Sequence, residues 1–186
     1  ILELSRKTIA HKFNVNPKEI IFTSGGTESN NMIIKTVVIA QNIKRIISTR
    51  IEHKAVLSSI ESIANEKDIT ILFLDVDEYG LPNKQQLIEY LENSYERTLV
   101  SLMHINNETG TMIDLEEFGN ICKSHNALFH SDTVQTIGHY KMDLNKINID
   151  FVTCSAHKFH GPKGVGFAYI RNCLLYTSPS PRDRRL

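Results

Sequence analysis

The ten residues from Ser155 to Gly164 read SAHKFHGPKG, two histidines and two lysines set around a proline. The run before them, INIDFVTC, is apolar and β-branched and reads as a strand. The turn would therefore present Ser155, His157 and Lys158 at a strand end. A lysine in such a cluster can lose its proton through desolvation and neighbouring positive charge and become a Schiff-base nucleophile. The plainer alternative is a solvated surface lysine. SGGTES, at 24–29, follows the short strand pattern EIIF and opens a helix. Its glycines let backbone approach an anion, and the free N–H groups of a helix start favour one. A simple glycine turn with Thr27 or Ser24 as cap is the alternative. The spacing is neither G-x-G-x-x-G nor a P-loop, which weakens a nucleotide reading.

Three further sets carry polar chemistry. SDTVQ puts Asp132 and Gln135 after an apolar strand, where the carboxylate could hold a protonated ring nitrogen or merely cap a helix. EHK puts His53 at a helix start, as a ligand-facing or a surface histidine. NNETG puts Asn107 at a strand end, to orient a ligand or to close a turn. His104, inside a strand pattern, reads as packing, while His130 and His160 stay open.

The elements that must hold these sets alternate. Helical patterns over 2–14, 27–42, 53–67, 84–94 and 114–126 interleave with strand patterns over 19–24, 45–49, 68–76, 98–105, 127–132, 149–156 and 164–171. Leu2, Leu4, Ile9 and Phe13 are near helical spacing, and Asp114 is placed to cap the last helix. Such alternation with short links predicts an α/β fold on a mostly parallel sheet flanked by helices. Ligands of these sheets sit at the C-terminal ends of the strands. Each polar set above follows a strand, so all should converge on one edge.

The bulk properties narrow the function. The 186 residues carry no formal net charge, with basic residues scattered, which argues against a nucleic-acid partner. No run of 18 apolar residues suggests a membrane span, and no signal peptide is visible. Cys122, Cys154 and Cys173 are far apart and suggest neither a zinc site nor a disulfide framework, so no metal is expected. The last fifteen residues, NCLLYTSPSPRDRRL, change character abruptly. Residues 172–186 are expected to be disordered or foreign to a folded part spanning 1–171.

FTSGGTESNN, EHKAV, HINNETG, HSDTVQTIG and DFVTCSAHKFHGPKGVG occur in this order. Together they resemble the cysteine desulfurases of the NifS/IscS type, pyridoxal-phosphate (PLP) enzymes of the class-V aminotransferase group. Related SufS-like desulfurases and selenocysteine lyases usually differ at EHKAV and NNETG. The resemblance covers about residues 1–171 and implies the large PLP-binding domain of fold-type I, aminotransferase-like enzymes, incomplete at both ends. It implies that Lys158 carries PLP as a Schiff base. Gly26, Thr27, Ser155 and His157 would bind its phosphate, Asp132 its ring nitrogen and Gln135 its phenolic oxygen. His53 would stack on the ring and shuttle protons, and Asn107 would orient cofactor and substrate. The implied reaction takes sulfur from L-cysteine, giving alanine and an enzyme persulfide. A sulfur-acceptor protein for Fe–S cluster assembly or tRNA thiolation and a homodimer are implied as partners. The family's persulfide cysteine, its substrate-binding arginine and its first strand have no counterpart here, so an inactive fragment is expected. Another class-V enzyme, such as a selenocysteine lyase or an aminotransferase, and a non-catalytic scaffold are the competing readings. A cytoplasmic location is the default, with a mitochondrial one the alternative in a eukaryote.

Overall fold

The computed structural model describes residues 1–174. Among them are seven strands: β1 (Ile20–Thr23), β2 (Arg45–Thr49), β3 (Thr70–Leu74), β4 (Thr98–Ser101), β5 (Leu128–Asp132), β6 (Phe151–Ser155) and β7 (Gly166–Ile170). They form one sheet in the order β1-β7-β6-β5-β4-β2-β3. From β3 across to β6 every pairing is parallel, while β7 runs antiparallel to both β6 and β1. The exception has a local cause. Parallel neighbours need a crossover, usually helical. β6 and β7 are joined instead by a 3-10 turn, Ala156–Phe159, and a short loop. The chain simply reverses, and the expected mostly parallel sheet carries one antiparallel strand near its edge.

Five helices cover the sheet: α1 (Leu2–Lys12), α2 (Gly26–Ala40), α3 (Lys54–Glu66), α4 (Lys84–Glu92) and α5 (Leu115–Ser124). Strand side chains alternate between faces, and both faces are apolar. Ile46, Leu99, Leu128, Phe151 and Ala168 pack with Ile33, Ile34 and Val37 of α2 and Val56, Ile60 and Ile63 of α3. Their chain neighbours Ile47, Val100, Phe129, Val152 and Tyr169 pack on the other face with Leu87 of α4, Phe118 of α5 and Phe13 after α1. The result is three layers with a core on each side of the sheet.

Two sequence expectations need correction. Leu2 and Leu4 are 69% and 71% exposed, so the apolar pattern of α1 does not form a buried stripe; Ala10 and Phe13 make its contact. β4 ends at Ser101, although the apolar run continues. Beyond it the chain stays tied to β5 less regularly, through Leu102 N to His130 O and His104 N to Asp132 O, so His104 lies outside the strand. Arg171–Cys173 form a 3-10 turn in which Asn172 N donates to Glu19 Oε1 at 2.6 Å. The rest of the tail expected at 172–186 lies outside the described residues.

Candidate active site

The polar sets that follow β1, β2, β4, β5 and β6 meet around one cavity of about 170 Å³. Its lining includes every residue to which the resemblance gives a role: Gly26, Thr27, His53, Asn107, Asp132, Gln135, Ser155, His157 and Lys158. Parallel strands place their C-terminal ends side by side, and the links after them bring these side chains together.

One wall is the start of α2. Neither Thr27 nor Ser24 caps it, contrary to expectation; the cap residue is Gly25, without a side-chain hydrogen bond. Gly25 adopts φ 154°, ψ −173°, a conformation essentially reserved for glycine. A Cβ on Gly26 would lie 2.7 Å from Val134 Cγ2, so the helix start is pressed against the link after β5. Glu28, in the first turn, reaches back to accept from Ser24 N at 2.6 Å. Beside this uncapped start, Ser155 Oγ and His157 Nδ1 are 2.9 Å apart. Backbone N–H groups, a hydroxyl and an imidazole together suit an anion.

Another wall carries Asp132, only 6% exposed. Its Oδ1 accepts from Val134 N at 3.0 Å and its Oδ2 from Asn30 Nδ2 at 2.7 Å. The first bond closes a turn, but no helix follows, so the capping alternative fails. Burial pushes the carboxyl's pKa upward, and those two donors and the nearby His53 oppose the shift. A buried carboxylate at a cavity wall favours a ligand that brings an N–H or a positive charge.

His53 caps α3: its Nδ1 accepts from Ala55 N at 3.1 Å. The neutral ring then carries its proton on Nε2. NNETG divides its labour. Asn106 is buried and closes the turn, its Oδ1 accepting from Glu108 N and Thr109 N, while exposed Asn107 lines the cavity. Gln135 is half-buried on the lining. Lys158 lies in the 3-10 turn after β6, which ends where His160 turns left-handed at φ 65°. His139 Nε2 lies 2.8 Å from Lys158 O. The Lys158 side chain is exposed, so desolvation, expected to help free its amine, is not supplied by the described residues. Among the open histidines, His130 is fully buried in β5 and away from the lining, and His160 is exposed.

The sequence patterns do not mark Asn30, Met103 and Val134 on the lining, nor Glu52, which is bonded to the lining residue Met103. Asn30 left a signal. It lies on the face of α2 shared with Ile33, Ile34 and Val37, and a polar group on a core face demands a partner. Glu52 left less. Its side chain is buried, with Oε1 accepting from Met103 N at 2.9 Å and Thr49 Oγ1 at 3.2 Å, and Oε2 without a partner among the described residues. Burial, with Asp132 nearby, raises its pKa to about 8. Cys122 and Cys154 are buried free thiols whose pKa values burial drives upward, so neither is poised as a nucleophile. Among the described residues no cluster could hold a metal, and no helix is long and apolar enough to cross a membrane.

The family model for class-V aminotransferases matches residues 1–181. The mitosomal cysteine desulfurase of Trachipleistophora hominis is 44% identical over 174 residues, covering 91% of this chain and 39% of that protein. A solved NifS-like protein superimposes with a TM-score of 0.87 at 40% identity, over 93% of this chain and 48% of that one. SspA, solved in complex with cysteine, gives 0.85 at 33% identity, over 92% and 49%. This chain thus spans less than half the length of the relatives it matches.

Proposed function

The chain belongs to the class-V aminotransferase family, a generally PLP-dependent group, and from that premise we propose that it supplies the cofactor-binding domain of a cysteine desulfurase. Residues 1–171 are that domain, and PLP is the ligand of the cavity. The observation that carries the reading is the cavity's polarity: an uncapped helix start with Ser155 and His157 on one side, and a buried carboxylate on another. PLP has a matching phosphate and ring nitrogen.

The start of α2, with Gly26 and Thr27, holds the phosphate together with Ser155 and His157. Asp132 accepts the N–H of the ring, and Gln135 bonds its phenolic oxygen. Bound there, PLP supplies an electron sink for charge developing at the substrate Cα. Lys158 would hold the cofactor through Nζ and, when that atom is free, would take and return a proton there. His53, held by Ala55 N, would keep Nε2 available as a second proton carrier on the cavity wall. Asn107 orients cofactor and substrate. L-cysteine is the substrate, by likeness to the desulfurases and to the protein solved with cysteine. Because Cys122 and Cys154 are buried, the thiolate that takes the sulfur lies outside the described side chains. A homodimer and delivery of sulfur to an acceptor protein complete the reading, in cytoplasm or in a mitochondrion-type compartment.

The test is product analysis on full-length enzyme carrying this segment. L-cysteine should yield alanine and transferable sulfur, and Lys158→Ala should yield neither. A keto acid, or turnover of selenocysteine alone, would contradict the desulfurase reading.

A further inference from the structure

A carboxylate only accepts hydrogen bonds, and at Asp132 this fixes the protons of four groups behind it. Asp132 Oδ2 meets Asn30 Nδ2 at 2.7 Å, so the amide is turned with its nitrogen toward the acid. Asn30 Oδ1 must then accept, and it does so from Thr153 Oγ1 at 2.8 Å. That commits the threonine proton. The 3.1 Å contact between Thr153 Oγ1 and His130 Nε2 therefore needs its proton on the ring. His130 Nδ1 is left as an acceptor, and Ser101 Oγ lies 2.9 Å away to donate. The chain crosses β4, β5, β6 and α2, and Asn30 at 1% exposure is its most accessible member.

We propose that Ser101, His130, Thr153 and Asn30 are positioning residues, a one-directional hydrogen-bond relay that holds the Asp132 carboxylate as an acceptor facing the cavity. The proposal rests on the reading of Asp132 as partner of the cofactor's ring nitrogen. A reversed Asn30 amide would aim a carbonyl at the acid and favour a protonated, donating Asp132. That reversal would have to turn over every member of the relay together and move the His130 proton from Nε2 to Nδ1. His130 must stay neutral for this, since a doubly protonated ring could accept nothing from Ser101. Burial meets the condition, lowering its pKa to about 3. Other titratable groups facing Asp132 are Glu52 and His53 after β2, Cys154 in β6, and His157 and Lys158 across the cavity. His104 bonds only its backbone carbonyl. Among side chains, Asn30 alone bonds the carboxylate among the described residues.

The test reads protons directly, by nitrogen NMR of His130 and carboxyl-carbon NMR of Asp132 across pH, beside PLP titration. His130 should be the neutral Nε2–H tautomer; the Nδ1–H tautomer would run the chain backward and overturn the relay without any variant. Thr153→Val should move the Asp132 titration upward and weaken PLP roughly fivefold to tenfold, and Thr153→Ser should restore both. An unchanged Asp132 titration in a folded Thr153→Val protein would overturn the relay and leave the cofactor reading standing. The expected proton positions in a protein that ignores PLP would uphold the relay and sink the cofactor reading.

Discussion

The starts of α2 and α5 solve one problem in opposite ways. Each follows a polar link and leaves backbone N–H groups without helical partners. At α5 the exposed Asp114 satisfies two of them, accepting from Glu116 N at 2.9 Å and Glu117 N at 3.1 Å. At α2 the cap is Gly25, which brings no side chain at all. The difference separates stability from binding. A capped start has its donors used by the fold. An uncapped start beside a cavity, pressed in by glycine, keeps them for a ligand. The same division separates the two aspartates: Asp114 stays in water and caps, while Asp132 is buried and faces the cavity.

The sharpest break of this comparison is at Glu52, because the cavity end hides ionisable groups that the α5 start does not need. Its pKa of about 8 in the fold means that the native state keeps a proton the unfolded chain has lost above the ordinary carboxylate value of 4.5. Its contribution to stability should fall as pH rises through that window, by several kcal/mol, and level off above 8. Urea unfolding of Glu52→Gln should lack the slope. His104 and His130 act at the other end. Burial lowers their pKa values to about 4 and about 3, so the unfolded chain binds protons first as pH drops below 6.5. Their contribution should decline from there toward pH 3, and a flat acid limb in Glu52→Gln, where the opposing carboxyl is gone, would contradict their burial as neutral groups.

Gly25→Asp comes next in size. It converts the α2 start into one like that of α5. In the Gly25 conformation the new side chain costs roughly 1–3 kcal/mol of stability, and its charge competes for the anion site. PLP affinity should drop at least about tenfold in an absorbance titration. The smallest effect belongs to Asp114→Ala. It should cost about 1 kcal/mol in denaturant unfolding and leave PLP affinity unchanged. A loss of PLP affinity there, or none at Gly25, would erase the distinction between the two helix starts.

The sequence shows the edge of the site better than its floor. Strand ends and helix starts leave local patterns, so Asp132, His53 and the Ser155–Lys158 cluster are each visible beside the strand they follow. At α2, Ser24 and Thr27 are good caps by composition, and only backbone geometry reveals Gly25 in their place. The antiparallel β7 is legible once the link before it is seen to lack a helix. A polar Asn30 on the core face of α2 signals that a partner is needed, but which partner, and the part Thr153 plays, depends on contacts across 102 and 123 positions of chain. The hidden Glu52 carboxyl has the same character: its environment is made by Met103, far along the chain.

The central claim is that Lys158 and the cavity around it hold PLP. The direct measurement is an absorbance spectrum of the chain with added PLP, before and after borohydride, followed by peptide mapping, with Lys158→Ala alongside. A visible band that reduction locks onto the peptide containing Lys158, and that the variant lacks, is the predicted result. A folded protein that shows no band, or a label spread over surface lysines and unchanged in the variant, would contradict it.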